Sequence, residues 1–435
     1  MTRIETPSGT SAAKSAPNRR RFDEDANICD GVIVFGNVDW WYHNRGHSST
    51  RIATRLSRRV PTLYVNSIGM RMPVPGRTEI AWRRYLRKLR SLTRGLRRDE
   101  ASGLWVYTPL FVPRYSPRWL EFNGALLASQ VRLLARRLGM RRPSALVAMP
   151  TMTPAAERLP WVRVVFERCD DFTTLPEADA QRVAALERRL LDLCDHAAYV
   201  SPELWERERD TVADARLVGH GVDFDLLAGS RPEGRPAPEE QAPPGLRGLP
   251  RPVVGFFGGM DDYRMDADLM VKVARQIAPG TLVLIGPAQM DLSRVKAEPN
   301  VRHIGQVVPE QLGSHAACFD VGIIPFLRND FNRRSSPIKL KEYLALGFPV
   351  VAMNLPAYAP YLGLIHTAET HEEFLESLDR ALTEDNPEAT ARRRSAVAGE
   401  SWEAIAQGYA EMLGLAVKGG MLSGLETADD LRGPR

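Results

Sequence analysis

The chain has 435 residues, too many for one ordinary hydrophobic core and enough for two or three domains. Its 44% hydrophobic and 26% charged residues exclude collagen-like, mucin-like and wholly disordered classes. The net charge of +5 is uneven: residues 80–142 hold 15 Lys/Arg and 3 Asp/Glu, hence +12, leaving −7 elsewhere and pointing to a local anionic partner such as a phospholipid surface, a lipid-linked phosphate or a nucleic acid.

Residues 1–25 are rich in Ser, Pro and charge, lack an apolar leader run, and read as a disordered tail. From residue 26 apolar runs alternate with helix-period stretches. Strands are expected at Gly31–Val38, Pro61–Asn66, Trp105–Leu110, Ala145–Met149, Arg163–Phe166, His196–Val200 and Arg216–Val218. Helices such as Ser49–Arg58, Gly124–Leu138 and Ala180–Leu193 fall between them. Such alternation implies parallel strands, so 26–228 reads as one α/β domain. Residues 229–251 read as a linker, because Gly229–Pro252 carries 7 Pro and 4 Gly.

The alternation restarts over 252–415. Strands are expected at Val253–Phe257, Thr281–Ile285, Val301–Ile304, Val321–Pro325, Pro349–Met353 and Gly363–His366, with helices at Asp266–Ile277, Pro309–Ala317, Pro337–Leu346, His371–Leu382 and Trp402–Leu413. Residues 416–435 read as a flexible tail. The fold class is thus α/β, two Rossmann-like domains whose parallel sheets face each other across a cleft.

The longest uncharged run, Phe348–Ile365, is broken by Pro349, Pro356 and Pro360 and is no membrane helix. The four cysteines are scattered, which argues against a disulfide frame or zinc site and for a reducing, cytoplasmic setting. No histidine has metal-ligand spacing, and the Asp-x-Asp triplets at Asp223 and Asp266 are common enough to arise by chance. No metal and no cofactor are expected.

The most informative string runs from Ser335 to Val351. Ser336 suits an N-cap, Pro337 the first helical position and Gly347 the stop. A helix start offers free N–H groups to a diphosphate, and Lys339 places a cation where the dipole disfavours one unless an anion arrives. Glu342 can accept hydrogen bonds from two ribose hydroxyls. An ordinary capped helix is the plainer alternative.

This string resembles the donor-binding segment of GT-B fold glycosyltransferases of bacterial cell-surface polysaccharide synthesis. The likeness is to family 4-like enzymes, with similarity to xanthan-type glucuronosyltransferases and teichuronic acid glycosyltransferases. It implies a nucleotide-diphosphate sugar held by Ser335, Ser336, Ile338, Lys339 and Glu342. The turn Gly258-Gly259-Met260, with Arg264 beyond it, resembles the family's phosphate-binding turn. Gly259 stands where a first cation is usual, and Arg334 where a second glutamate is usual. Gly219-His220-Gly221-Val222-Asp223 resembles the family hinge, with His220 toward the donor; a plain turn competes.

Asp170, after the strand ending at Phe166, matches the aspartate that acts as base in the xanthan-type enzymes, while Asp171 suits a cap. The likeness further places Trp41, Arg45 and His47 on the acceptor side, one of Trp40 and Trp41 serving instead as a buried anchor. Between Trp82 and Arg98, apolar residues at helical spacing alternate with eight cations. This is the pattern of an interfacial membrane helix, with contacts from Trp82, Arg83, Arg84, Arg87, Lys88 and Arg90.

The expected partners are a nucleotide-sugar donor, a polyprenyl-linked or other glycan acceptor and an anionic membrane surface at the inner face of the plasma membrane, with no nucleic acid. The two likenesses leave retention and inversion both open. A degenerate nucleotide-sugar-binding scaffold and a nucleotide-sugar epimerase are the competing functions.

Overall fold

The computed structural model describes residues 29–41, 46–69, 90–175, 178–336 and 338–415. The first sheet contains β1 (Gly31–Phe35), β2 (Thr62–Val65), β3 (Leu96–Arg98), β4 (Trp105–Tyr107), β5 (Pro143–Val147), β6 (Val164–Arg168), β7 (His196–Tyr199) and β8 (Ala215–Leu217). Their spatial order is β3-β4-β2-β1-β5-β6-β7-β8, all parallel except β3 against β4. The second sheet contains β9 (Val253–Phe257), β10 (Thr281–Ile285), β11 (Val301–Gly305), β12 (Val321–Ile324), β13 (Val350–Met353) and β14 (His366–Ala368). Its order is β11-β10-β9-β12-β13-β14, parallel throughout.

Parallel pairing needs a crossover long enough to return the chain, and the intervening helices supply it. They cover both faces, so central strands such as β1, β9 and β10 are buried along their whole length. In both sheets the order reverses beside the first strand: β1 lies between β2 and β5, and β9 between β10 and β12. Ligands of open parallel sheets bind in the crevice beyond such switch points. The segments leaving β1 and β9 are the ones that carry Trp41 and the Gly258 turn.

Three sequence expectations change. The Trp82–Arg98 helix does not extend to its end. Residues 90–92 are helical, Gly95 adopts φ +54°, and Leu96–Arg98 pairs antiparallel with β4. A left-handed glycine ends the turn and lets the chain reverse into an edge strand. Of the expected membrane contacts, Arg90 is exposed, whereas Trp82, Arg83, Arg84, Arg87 and Lys88 lie outside the described residues.

The proline-rich segment 229–251 is packed rather than free. Arg231 pairs with Asp385 (2.5 Å), Ala237 N–H donates to the Ala317 carbonyl (2.8 Å), and Leu246 joins the second core. Proline prevents regular elements but not burial.

The helix Trp402–Met412 belongs, by packing, to the first domain and not to the 252–415 block. Trp402, Ile405, Tyr409 and Met412 share a core with Val32, Val34, Ile52 and Leu56. The chain therefore crosses between domains twice, near Gly221 and near Ser401. Val222 N–H donates to the Glu400 carbonyl (2.9 Å), and Trp402 N–H donates back to the Val222 carbonyl (3.4 Å). A Cβ at Gly221 would lie 2.7 Å from the Trp402 Cα, so only glycine permits this close crossing.

Candidate active-site cleft

On the second-domain side, β9 ends at Phe257 and the chain turns at Gly258, which has φ +146°. A Cβ there would sit 2.8 Å from the Lys339 Cε, so glycine makes room for the lysine. Lys339 lies in the first turn of the Ile338–Leu346 helix, its Nζ 2.8 Å from Glu342 Oε2 and over the Phe257 ring at 5.3 Å. Pro337 lies outside the described residues. Ile338 is half-buried against the first-domain core.

Arg264 is held by stacking, its guanidinium 4.9 Å from the Phe331 ring centroid and 5.5 Å from that of Phe326. Gly259 is exposed and Ser336 half-buried. Two expected donor contacts take other roles. Met260 has no exposed surface and donates its N–H to the Pro287 carbonyl (3.0 Å), so it anchors the turn. Ser335 is buried, with its hydroxyl on the Asn332 carbonyl (3.0 Å). The residues are small or unbranched enough to be drawn into the core, and a linear motif cannot tell a turn's ligand-facing atoms from its anchors.

On the first-domain side, β6 delivers Cys169, Asp170 and Asp171 to the carboxyl edge of the sheet. Burial raises the Asp170 carboxyl above the usual aspartate range, opposed by the charges of Arg264 and Arg168. Asp170 thus lies within electrostatic reach of Arg264 on the other domain. Asp171 is buried and caps the Phe172–Thr174 turn, accepting from Thr173 N–H (3.2 Å), as its place after the strand suggests.

At the crossover, Lys341 Nζ donates to the His220 carbonyl (2.6 Å) and pairs with Glu400 (2.5 Å), which Tyr361 also contacts (3.0 Å). Burial, reinforced by the charges of Lys341, His47, Lys339 and Arg264, lowers the His220 imidazole to about 3. A neutral ring within the field of these groups can accept or donate one hydrogen bond without adding charge. His47, exposed at the start of the Ser48–Leu56 helix, is near enough to act on His220 electrostatically.

Trp40 is the buried anchor, 2% exposed. Trp41 is half-buried, with Nε1 on Thr108 Oγ1 (3.3 Å) and the Arg94 guanidinium 4.7 Å over its ring. Arg45 lies outside the described residues. The two Asp-x-Asp triplets are engaged elsewhere: Asp223 pairs with Arg51 (2.8 Å) and Arg55 (2.9 Å), while Asp266 caps the Ala267–Ile277 helix and contacts His371 (2.8 Å). Among the described residues no His/Cys/Asp/Glu cluster could hold a metal. All four cysteines are free and buried, and no described helix is long and apolar enough to cross a membrane.

Sequence reasoning missed two features. Arg168 is almost wholly buried and bonded to Glu187 (2.6 Å) and Glu208 (3.1 Å), so it fixes the strand end that carries Asp170. Glu167 is fully buried, with no donor in hydrogen-bonding geometry at either carboxyl oxygen. Burial pushes it up to about 7, the Ser48 hydroxyl being the polar group that opposes the shift. Both residues fall just past the strand expected to end at Phe166 and inside the observed β6, so two charges adjoining an apolar run were the available signal.

The two facing sheets, with a glycine turn and a Lys-Glu helix on one lip, have the GT-B architecture, and residues 251–384 match the family model described as "Glycosyl transferases group 1". The fold is therefore of the GT-B class, and its second domain is similar to the glycosyltransferase group 1 family. A particular relative is TuaH of Bacillus subtilis (strain 168), named as a teichuronic acid biosynthesis glycosyltransferase, 23% identical over 267 residues. That match covers 56% of this chain and 65% of TuaH, less than two thirds of the relative's length.

Among solved structures, sucrose-phosphate synthase from Thermosynechococcus elongatus superposes with a TM-score of 0.64 at 14% identity, covering 88% of this chain and 98% of that one. Anabaena Alr3699/HepE in complex with UDP gives 0.58 at 14% identity, covering 88% and 98%. The trehalose-6-phosphate protein of E. coli bound with UDP-2-fluoro glucose gives 0.60 at 13% identity, covering 89% and 99%.

Proposed function

We propose that the protein is a glycosyltransferase that takes a sugar from a nucleotide-diphosphate donor, the donor resting on the second domain and the acceptor on the first. One observation carries this reading. Lys339 lies against the Gly258 turn and pairs with Glu342, while Arg264, stacked on Phe326 and Phe331, is within electrostatic reach of Asp170. Lys339 and Arg264 supply cationic charge for the leaving diphosphate, with preorganised donors doing the work a metal would otherwise do. Glu342 takes the ribose. A UDP donor is supported by the two neighbours whose structures contain UDP or a UDP sugar.

Asp170 receives the proton of an attacking acceptor hydroxyl in an inverting transfer, a role supported by its raised carboxyl. Water would be excluded as the domains close. The acceptor is a lipid-linked glycan of surface polysaccharide assembly, met at the cytoplasmic face of the membrane. The +12 charge of residues 80–142 and the likeness to TuaH support this assignment.

The test is a panel of nucleotide sugars assayed for donor hydrolysis and for transfer to polyprenyl-linked acceptors. Transfer from one donor class, lost in Glu342→Ala and in Asp170→Asn, is expected. Normal transfer by both variants would overturn the site, and epimerised sugar without acceptor would replace the reaction.

A further inference from the structure

The helix Pro117–Arg137 has an unusual outer face. Its inner face is ordinary core, with Leu120, Leu127, Val131 and Leu134 buried. On the outside Phe122 and Leu133 are each 51% exposed. Leu110, 58% exposed, is laid along the same helix because its N–H donates to Gln130 Oε1 (2.9 Å) and its carbonyl accepts from Gln130 Nε2 (3.0 Å). Of the six large apolar side chains most exposed among the described residues, three therefore gather here.

At about 100° per residue, Phe122, Leu126, Ser129 and Leu133 lie within about 60° of one another. The ridge from Phe122 to Leu133 is about 16 Å long. Trp119 meets Phe122 edge-on at 5.6 Å, and the Arg114 guanidinium lies 5.2 Å from the Trp119 centroid.

Arginines bracket this ridge. The helix carries four Arg (118, 132, 136 and 137) and one Glu, or 4 − 1 = +3. That one acid, Glu121, is occupied by Arg158 (2.7 Å) and Arg189 (2.8 Å) on the neighbouring elements. The start of the helix also lies at the cleft rim. Tyr115 donates to the Ile68 carbonyl (2.7 Å), and Thr151 to the Gly69 carbonyl (3.1 Å). These residues follow β2 and β5 at the carboxyl edge of the first sheet.

We propose that this ridge is the face on which the protein sits on an anionic phospholipid surface. Phe122, Leu133 and Leu110 enter the boundary between headgroups and acyl chains, and the flanking arginines meet lipid phosphates. A second copy of the chain is the poorer occupant, since a symmetric pair would set these arginines against their own images. The ridge stands apart from the transfer reaction; only its further role, bringing a lipid-borne acceptor to the cleft rim, rests on the function proposed above.

The test is co-sedimentation of the full chain with phosphatidylcholine vesicles, with and without phosphatidylglycerol. The wild type should bind only the anionic vesicles. Arg118→Gln with Arg136→Gln and Arg137→Gln should weaken partition by about fivefold per arginine, the equivalent of about 1 kcal/mol each. Phe122→Ser with Leu133→Ser should weaken it by about tenfold or more. Both sets of variants should keep the wild-type thermal midpoint and its nucleotide-sugar affinity by calorimetry.

Wild-type sedimentation by either set would overturn the proposal. So would a wild-type dimer that Phe122→Ser with Leu133→Ser converts to monomer without loss of vesicle binding. A wild type that binds vesicles but no nucleotide sugar would leave this surface standing and remove the transferase reading instead.

Discussion

Arg334 of the second domain reaches across the cleft to Asp171 of the first, with Nη1 3.2 Å from Oδ2. The same carboxylate meets Arg207 (3.1 Å), and Arg334 also meets Glu203 (3.5 Å). Burial works against the Asp171 charge, but the Thr173 hydrogen bonds and the Arg168 and Arg207 guanidiniums outweigh it and hold the carboxyl below the usual range. Arg334, at the position where the resembling enzymes usually carry a glutamate, is thus engaged as a clasp between domains.

Arg334→Ala should open the cleft with little loss of fold stability. The pair is about a quarter exposed at the arginine, and Asp171 keeps Arg168 and Arg207, so the change in unfolding free energy should stay below about 1 kcal/mol. Small-angle scattering should show a larger radius of gyration, and the KM for donor should rise. The clasp should survive mild acid, because a carboxyl with a depressed pKa loses its stabilising charge only as pH falls below the usual aspartate range.

Glu342→Ala should weaken nucleotide-sugar binding by about ten- to a hundredfold, the worth of hydrogen bonds to a charged group. Lys339→Ala should do the same, since each side chain holds the other at 2.8 Å. Calorimetric titration separates this loss from a loss of turnover, and unchanged affinity in both variants would remove the donor site from this helix.

Asp170→Asn should retain donor affinity and lose about 10²–10⁴ in kcat, the usual worth of a general base. In the wild type the rate should rise with pH through an inflection above the ordinary aspartate value, because burial makes the carboxyl harder to ionise. The asparagine variant should lack that inflection. Preserved transfer in Asp170→Asn would favour a retaining route with no protein base at this position.

Glu167→Gln should stabilise the protein at alkaline pH and change little near pH 4. The folded carboxyl titrates at about 7, whereas an unfolded glutamate titrates near 4.3. Between those values the folded state binds more protons than the unfolded one, so stability falls as pH rises. Above pH 7 the full cost is about 4 kcal/mol, at about 1.4 kcal/mol per unit. Thermal midpoints at pH 5 and pH 8 should therefore diverge in the wild type and converge in the variant.

The amino-acid sequence by itself determined most of the secondary structure. Runs such as Val253–Phe257 and Thr281–Ile285 are wholly buried strands whose composition leaves no alternative, and helices such as Ala180–Leu193 declare themselves by an apolar face. It also marked Lys339 and Glu342, because a cation in the first turn of a helix opposes the dipole and calls for an explanation.

Tertiary structure alone decided which domain owns Trp402–Met412, that 229–251 is packed, and that Leu96–Arg98 is a strand. It alone set Arg334 against Asp171, 163 residues apart, and stranded Glu167 in the core. Local pattern reports only on neighbours within a few residues, whereas an ion pair across a cleft and the burial of a charge depend on where distant segments come to rest.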